Sequence, residues 1–348
     1  MKEIWAYRAR WGTITFGLLI GLFLVAALAC SIGAVRINPI KTFKIILDAL
    51  PGIGFKKSWS DTDRAIILGV RAPRVMMGAI VGVALSIAGA SFQALLRNPL
   101  ADPYVLGVSS GGALGAIIAI LLGVETILGV SILPLFSFLG AALTMLLVYN
   151  IARIGGRLPT YTLLLAGVIV NSFFSAIIMF LISIAELTRA RTFQFWTMGD
   201  LNLPSGNIAF PATGLIILGA IILYGCARDM NLLALGEESA AQLGVEVERV
   251  KLLIFVMASL VTGASVAACG MIGFVGLIIP HITRMVVGAD QRVLMPASAF
   301  IGASFLVIAD TFARTIIAPS EIPIGVVTAI CGGPFFVYLL RKQRKPFM

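Results

Sequence analysis

Apolar stretches about twenty residues long recur along this chain, separated by short polar breaks, and that repetition leaves few folds open. At 1.5 Å rise per residue, such a stretch forms a helix about as long as the hydrocarbon core of a bilayer is thick, roughly 30 Å. The pattern predicts about ten spans, near 12–34, 72–96, 105–123, 132–152, 161–185, 208–227, 251–269, 271–287, 294–312 and 323–340. With 59% hydrophobic and 12% charged residues over 348 positions, the chain carries more apolar surface than one soluble core can cover. The expectation is an all-α, polytopic membrane protein forming a single domain over 1–348.

The net charge of +10 does not point to nucleic acid, because the basic residues sit in the breaks, where topology and lipid headgroups account for them. Lys2, Arg8 and Arg10 precede the first span, and Arg341, Lys342, Arg344 and Lys345 follow the last. An even number of spans then puts both termini in the cytoplasm. The same alternation places Arg97, Arg153, Arg157, Arg228, Arg249, Lys251, Arg284 and Arg292 inside. The run at 11–35 imitates a signal peptide but is too long for its apolar region, so it reads as a retained first span. Cys30, Cys226, Cys269 and Cys331 lie in apolar segments without CxxC spacing and are expected as free buried thiols.

Two breaks carry more than topology. Residues 36–70 form an outer segment in which Asn38 can cap a helix that Pro39 begins. Ile40, Phe43, Leu47 and Leu50 recur at helical spacing, predicting an amphipathic helix on the outer interface until Pro51 and Gly52 end it. Arg71 and Arg74 then bracket Pro73, and Arg314 lies between the last two spans; such arginines either snorkel to phosphates or meet carboxylates of a partner. The second break, 228–251, is a charged island. Gly236 can serve as its N-cap, Glu237 and Glu238 complement the positive end of a helix dipole, and Gly244 can supply a left-handed C-terminal residue. A helix over about 237–243 cannot span a bilayer; it either lies on the membrane surface or docks a partner. Gly78, Gly82, Gly89, Gly270, Gly273 and Gly276 read as sites of close helix approach, with gating hinges as the alternative.

Reactive chemistry is sparse. His281 is the single histidine, which excludes a multi-histidine metal cluster, and its expected role is a polar group at a helix end. No G-x-x-x-x-G-K-[ST] cradle occurs, so any ATP must bind another subunit. Asp310 is the main carboxylate well inside an apolar run, where a proton relay would want several. Gln93 and Asn98, beside the break made by Pro99 and Pro103, read as staples for carbonyls freed there. Neither a catalytic cluster nor a metal-ligand set can be assembled, and no cofactor is expected on this chain.

The segment GASFQALLRNPLADPYVLGVSSGG at 89–112 closely resembles a signature of the permease subunits of ATP-binding-cassette importers for iron-siderophore complexes, haem and cobalamin. RAPR at 71–74, W-x-x-G at 196–199, LGEESAAQLGV at 235–245, GFVGLIIPHITR at 273–284, AD at 309–310 and EIPIGVVTAICGGPFF at 321–336 resemble the family's other blocks, in the family's order. The resemblance implies the type II importer permease fold, in the inner membrane of a bacterium or archaeon. It implies pairing with a second copy, two ATPase subunits that bind ATP and Mg, and a periplasmic or lipid-anchored substrate-binding protein. Leu235, Gly236, Glu237, Glu238, Ser239, Gln242 and Gly244 match the coupling helix that meets the ATPase. Pro159 and Thr160 match the inner gate, although relatives often carry a small polar residue where Pro159 stands. Arg71, Arg74 and Arg314 match positions that receive acidic residues of the binding protein. Iron-siderophore is the cargo the resemblance favours, with haem or cobalamin as alternatives and an ion-coupled secondary transporter as the rival class. Departures are Gly332-Gly333-Pro334, where the family has Gly-Ala-Pro, and Asp200, where a small neutral residue is common.

Overall fold

A computed structural model describes residues 2–49, 54–55, 57–124, 126–127, 130–202 and 209–343. Helix α1 (Lys2–Ser31) is followed by α2 (Pro39–Asp48), where the Asn38 side chain accepts the Ile40 N–H and Pro39 takes the first helical position, as predicted. Thr42 and Ile45 turn into the protein, whereas Ile40 and Phe43 stay exposed and Leu47 is half-buried, so the first part of the apolar stripe read from the sequence faces away from the bundle. Leu50, Pro51 and Gly52, expected to end this helix, lie outside the described residues. Ile37, Ile45, Trp59 and Ile67 close a small core beneath it.

The central element follows. α3 (Asp61–Arg64), a π-helical turn (Ala65–Arg71) and α4 (Ala72–Leu95) run on without a break for 35 residues. Most of this rod is buried, by contact with elements given below. At its far end Gln93 Nε2 donates to the Leu277 carbonyl at 3.1 Å, Asn98 Oδ1 accepts the Leu100 N–H, and Asp102 Oδ1 accepts the Tyr104 N–H to open a 3-10 turn (Pro103–Leu106). The staple reading is thereby corrected: Gln93 serves a carbonyl of a distant segment and Asn98 a backbone N–H, rather than the carbonyls of the break itself. Arg97 turns this corner with a left-handed φ of 47°.

The chain continues through α5 (Val108–Leu121), a two-residue antiparallel hairpin of β1 (Thr126–Ile127) and β2 (Val130–Ser131), α6 (Leu133–Ala152) and α7 (Thr160–Ile184). Next come α8 (Leu187–Thr197), α9 (Ala209–Gly225), α10 (Ala227–Leu233), α11 (Glu237–Gln242), α12 (Val247–Cys269), α13 (Val275–Val287), α14 (Gln291–Ala313) and α15 (Ile324–Gln343). Among the described residues six helical runs are long and apolar enough to cross a membrane, and α9 with α10 makes a seventh if that pair, bent by 52°, is one span. α5, α13 and the Ile324–Tyr338 part of α15 are shorter apolar helices. Each of the ten predicted windows therefore holds a helix, and α8 is an additional element that hydropathy did not single out.

α4 packs against α9, α12, α13 and α14, and glycine permits the closest of these crossings. A Cβ on Gly89 would stand 1.9 Å from the Gly276 carbonyl oxygen of α13, and one on Gly82 would stand 2.4 Å from that of Gly302 in α14. Small residues let the backbones themselves touch, which is how helices associate where lipid removes the hydrophobic drive. The packing reading thus holds for Gly82, Gly89 and Gly276, while Gly273 has open space around it. Gly332 faces the Phe274 ring and has no room for a side chain, whereas Gly333 is open.

Two expectations are corrected. Cys30, Cys226 and Cys269 are buried free thiols, but Cys331 is exposed on α15, because hydropathy marks an apolar helix without saying which side faces the protein. His281 stands mid-helix in α13, near Pro99 and Leu100, rather than at a helix end; α13 continues to Val287.

Candidate functional site

The bundle gathers charge at two ends, which α4 separates. At the end where α4 begins, Arg74 is the hub. Its Nε donates to both oxygens of Asp310 at 2.9 and 3.1 Å, and its Nη1 donates to Asn202 Oδ1 and Glu321 Oε2, each at 2.8 Å. Arg314, one turn beyond Asp310 in α14, adds an ion pair at 3.7 Å and donates to the Ala29 carbonyl and to Thr311 Oγ1. Among the described residues Arg71 meets carbonyls rather than a carboxylate: its Nη1 donates to those of Cys30 and Ser31 at 3.0 and 3.1 Å, and its Nη2 to that of Val35. Arg71 and Arg314 thereby satisfy carbonyls left open at the C-terminus of α1, where the helix dipole favours a cation.

These three arginines were expected as hooks for lipid or for a partner. The structure does bring them together, but around the chain's own groups, with each less than 8% exposed. Asp310 and Glu321 supply the charge that offsets them. Asp200 acquires a role here as well: its Oδ1 accepts the Asn202 N–H at 2.8 Å and so presents Asn202 to Arg74. A cavity of about 610 Å³ opens beside the cluster, lined by Arg74, Trp196, Asp200, Asn202 and Glu321 among others.

At the opposite end, the island at 228–251 folds as three pieces: α10, α11 and the first turn of α12. Gly236 is the N-cap of α11, with φ 118°, and Gly244 follows the helix with φ 87°, so the cap stands where the sequence put it and Gly244 supplies the left-handed residue that the sequence called for. Ala240 is buried, and Leu235, Glu238, Ser239, Gln242 and Leu243 are exposed around it. Two large bare apolar side chains flank Glu238, since Leu235 is 66% and Leu243 57% exposed.

Glu237 turns the other way. Both of its oxygens lie 3.1 Å from Lys251 Nζ, and Oε1 lies 3.9 Å from Arg97 and 3.5 Å from Thr160 Oγ1. Lys251 also meets Glu248 Oε1 at 3.3 Å, and Glu248 Oε2 accepts the Leu158 N–H at 2.7 Å. A cavity of about 1150 Å³ is lined by Arg97, Pro159, Thr160, Glu237 and Glu248 among others. Leu235, Gly236, Glu237, Glu238 and Ser239 of the expected coupling set therefore share one cavity with both expected gate residues, while Gln242 and Gly244 do not line it. Lys251, read from the sequence only as an inside cation, joins them through its ion pair with Glu237, and Glu248, which the sequence did not single out, joins them as well.

Among the described residues no cluster of three or more His, Cys, Asp or Glu could hold a metal ion. What this geometry offers is a helical bundle with two charged ends and a short exposed helix at one of them.

Comparison with known proteins agrees. Residues 18–342 match the FecCD transport family. The chain is 45% identical over 283 residues to the cobalamin import system permease protein of Halobacterium salinarum, covering 81% of this chain and 75% of that one. It is 36% identical over 341 residues to the hemin transport system permease protein of Yersinia pestis, covering 96% and 98%. A solved structure described as an inward-facing conformation of a metal-chelate type ABC transporter matches with a TM-score of 0.82 at 30% identity, over 95% of this chain and 99% of that one. The helical architecture is that of a type II importer permease, a transport component rather than an enzyme, and ATP hydrolysis resides on a separate subunit. The chain belongs to the FecCD transport family of ABC importer permeases.

Proposed function

We propose that this chain, paired with a second copy across a two-fold axis, forms the passage through which a bulky metal chelate enters a bacterial or archaeal cell. In this reading the end bearing Glu237 and both chain termini are cytoplasmic, in the inner membrane. Two ATPase subunits carrying ATP and Mg grip α11, and a substrate-binding protein delivers cargo at the end bearing Arg74. Ferric siderophore is the first candidate cargo, with haem and cobalamin as the alternatives. The observation that carries the reading is the split of α11: Leu235, Glu238 and Leu243 face outward, while Glu237 is tied inward beside Pro159 and Thr160. Two exposed leucines and an exposed carboxylate on so short an element fit a protein partner better than an anionic lipid surface, which Glu238 would repel.

The test is uptake into proteoliposomes holding the permease with its ATPase subunits, supplied with binding protein and ferric siderophore, haem or cobalamin in parallel. ATP-dependent accumulation of one chelate is expected. Accumulation by the permease alone on an ion gradient would overturn the reading in favour of a secondary transporter. Reversing the outward charge with Glu238→Lys is expected to weaken ATPase association about tenfold and to leave the denaturation midpoint of the permease unchanged, as measured by binding in detergent and by denaturant titration.

At the opposite end we propose that an acidic residue of the binding protein competes with Glu321 for Arg74. The Glu321 side chain is 42% exposed and that of Arg74 only 7%, so the carboxylate at the surface is the one that can give way. Glu321→Gln is expected to tighten capture of the loaded binding protein about threefold to tenfold, with a larger effect at low salt. An unchanged affinity would mean that the docked carboxylate does not reach Arg74.

A further inference from the structure

We propose that Lys251 is the joint through which movement of α11 reaches the loop that begins α7; this rests on the importer reading above. Lys251 is buried at the base of α12, with 3% of its side chain exposed, while its two carboxylate partners keep about a third of theirs, 35% for Glu237 and 37% for Glu248. An ammonium has three donors, and here they serve two different bodies. One is Glu237, on the knob. The other is Glu248, one turn earlier on α12, whose second oxygen holds the Leu158 N–H at 2.7 Å. Leu158 immediately precedes Pro159 and Thr160, so the sequence of contacts is knob, ammonium, carboxylate, gate loop.

Burial is what makes this joint stiff. Glu248 and Lys251 are neighbours on one helical face and move together as part of α12. A displacement of Glu237 must therefore either drag that turn, and Leu158 with it, or pull a carboxylate away from an ammonium that water cannot reach. Separating charges in a low-dielectric setting costs more than it does in water, so dragging is the easier course. The other contacts of Glu237, with Arg97 at 3.9 Å and Thr160 at 3.5 Å, are longer and cannot replace it.

Lys251→Met tests the joint, because it keeps the length of the stem and leaves two carboxylates that retain access to solvent. The change removes the buried charge itself, and the carboxylates it leaves behind keep about a third of their side chains in contact with solvent, so no charge is stranded in the interior; the variant is expected to fold, to bind the ATPase subunits and to hydrolyse ATP within about twofold of the parent. In the complete reconstituted complex, ATP hydrolysed per chelate delivered is expected to rise about tenfold, the middle of the range for interaction energies within one ion-pair network. In the Lys251→Met background, Glu237→Gln is expected to add little further to that ratio, since only the longer contacts with Arg97 and Thr160 remain to be weakened.

Glu248→Gln supplies the same readout should Lys251→Met not assemble: the amide oxygen still accepts the Leu158 N–H, and only the ammonium contact is weakened. Lys251→Arg, which keeps the charge, is expected to restore most of the coupling. A parental ratio of ATP to cargo in Lys251→Met, with uptake still dependent on ATP, overturns the joint alone. Uptake without any ATPase subunit overturns the importer reading and the joint together.

Discussion

Asp310→Asn is expected to destabilise the folded permease by about 3–5 kcal/mol, the range found when one partner of a buried charge group is removed. Asp310 accepts from Arg74 at 2.9 Å and pairs with Arg314 at 3.7 Å, and all three side chains are at most 7% exposed. An asparagine keeps the shape and loses the charge, so two guanidiniums remain buried with one carboxylate, Glu321, near only one of them. Arg314 is the more exposed to this loss in energetic terms, because its remaining partners are the Ala29 carbonyl and Thr311 Oγ1, both neutral. Denaturant titration of the purified permease in mixed micelles measures the effect. Adding Arg314→Met to the Asp310→Asn protein is expected to recover part of the loss, since it removes one stranded charge; a cost below about 1 kcal/mol for the single change would mean that water reaches the cluster.

Gly89→Ala is expected to cost about 3 kcal/mol or more, at the upper end for overpacking, although it adds one methyl group. That methyl would lie 1.9 Å from the Gly276 carbonyl oxygen, and the obstacle is backbone rather than a side chain that can rotate away. Gly78→Ala on the same helix is the control. A Cβ there meets Leu201 Cδ1 at 3.4 Å, an ordinary contact, and the change should gain roughly 0.5–1 kcal/mol through the lower entropy of the unfolded chain. The same titration compares the two variants, and equal stability would show that α4 and α13 can part without cost.

The spans were legible because twenty apolar residues in a row admit few alternatives, and α11 was legible because Gly236, Glu237, Glu238 and Gly244 each carry a local signal for one end of a helix. What escaped the sequence was orientation and partnership. Cys331 was assigned to the interior because hydropathy marks α15 as apolar without saying which of its sides faces the protein. Arg74 lies 236 residues from Asp310, and no local pattern encodes a pair at that separation. The alternation of spans likewise gave Lys251 as one more inside cation, since Glu237, the partner that ties it to the knob, belongs to a different helix. The bend of 52° between α9 and α10 disappears in a hydropathy window, which averages over the residues that make it.

The unbroken run from α3 through α4 has a mechanical consequence. Arg74 and Gln93 ride on one rod, nineteen residues or roughly 28 Å apart at 1.5 Å per residue. By simple leverage, a tilt of about 5° imposed at the first shifts the second by about 2.5 Å, close to the reach of a hydrogen bond. Whatever leans on the rod near Arg74 is felt where Gln93 clasps the Leu277 carbonyl, with no loop in between to absorb the stroke.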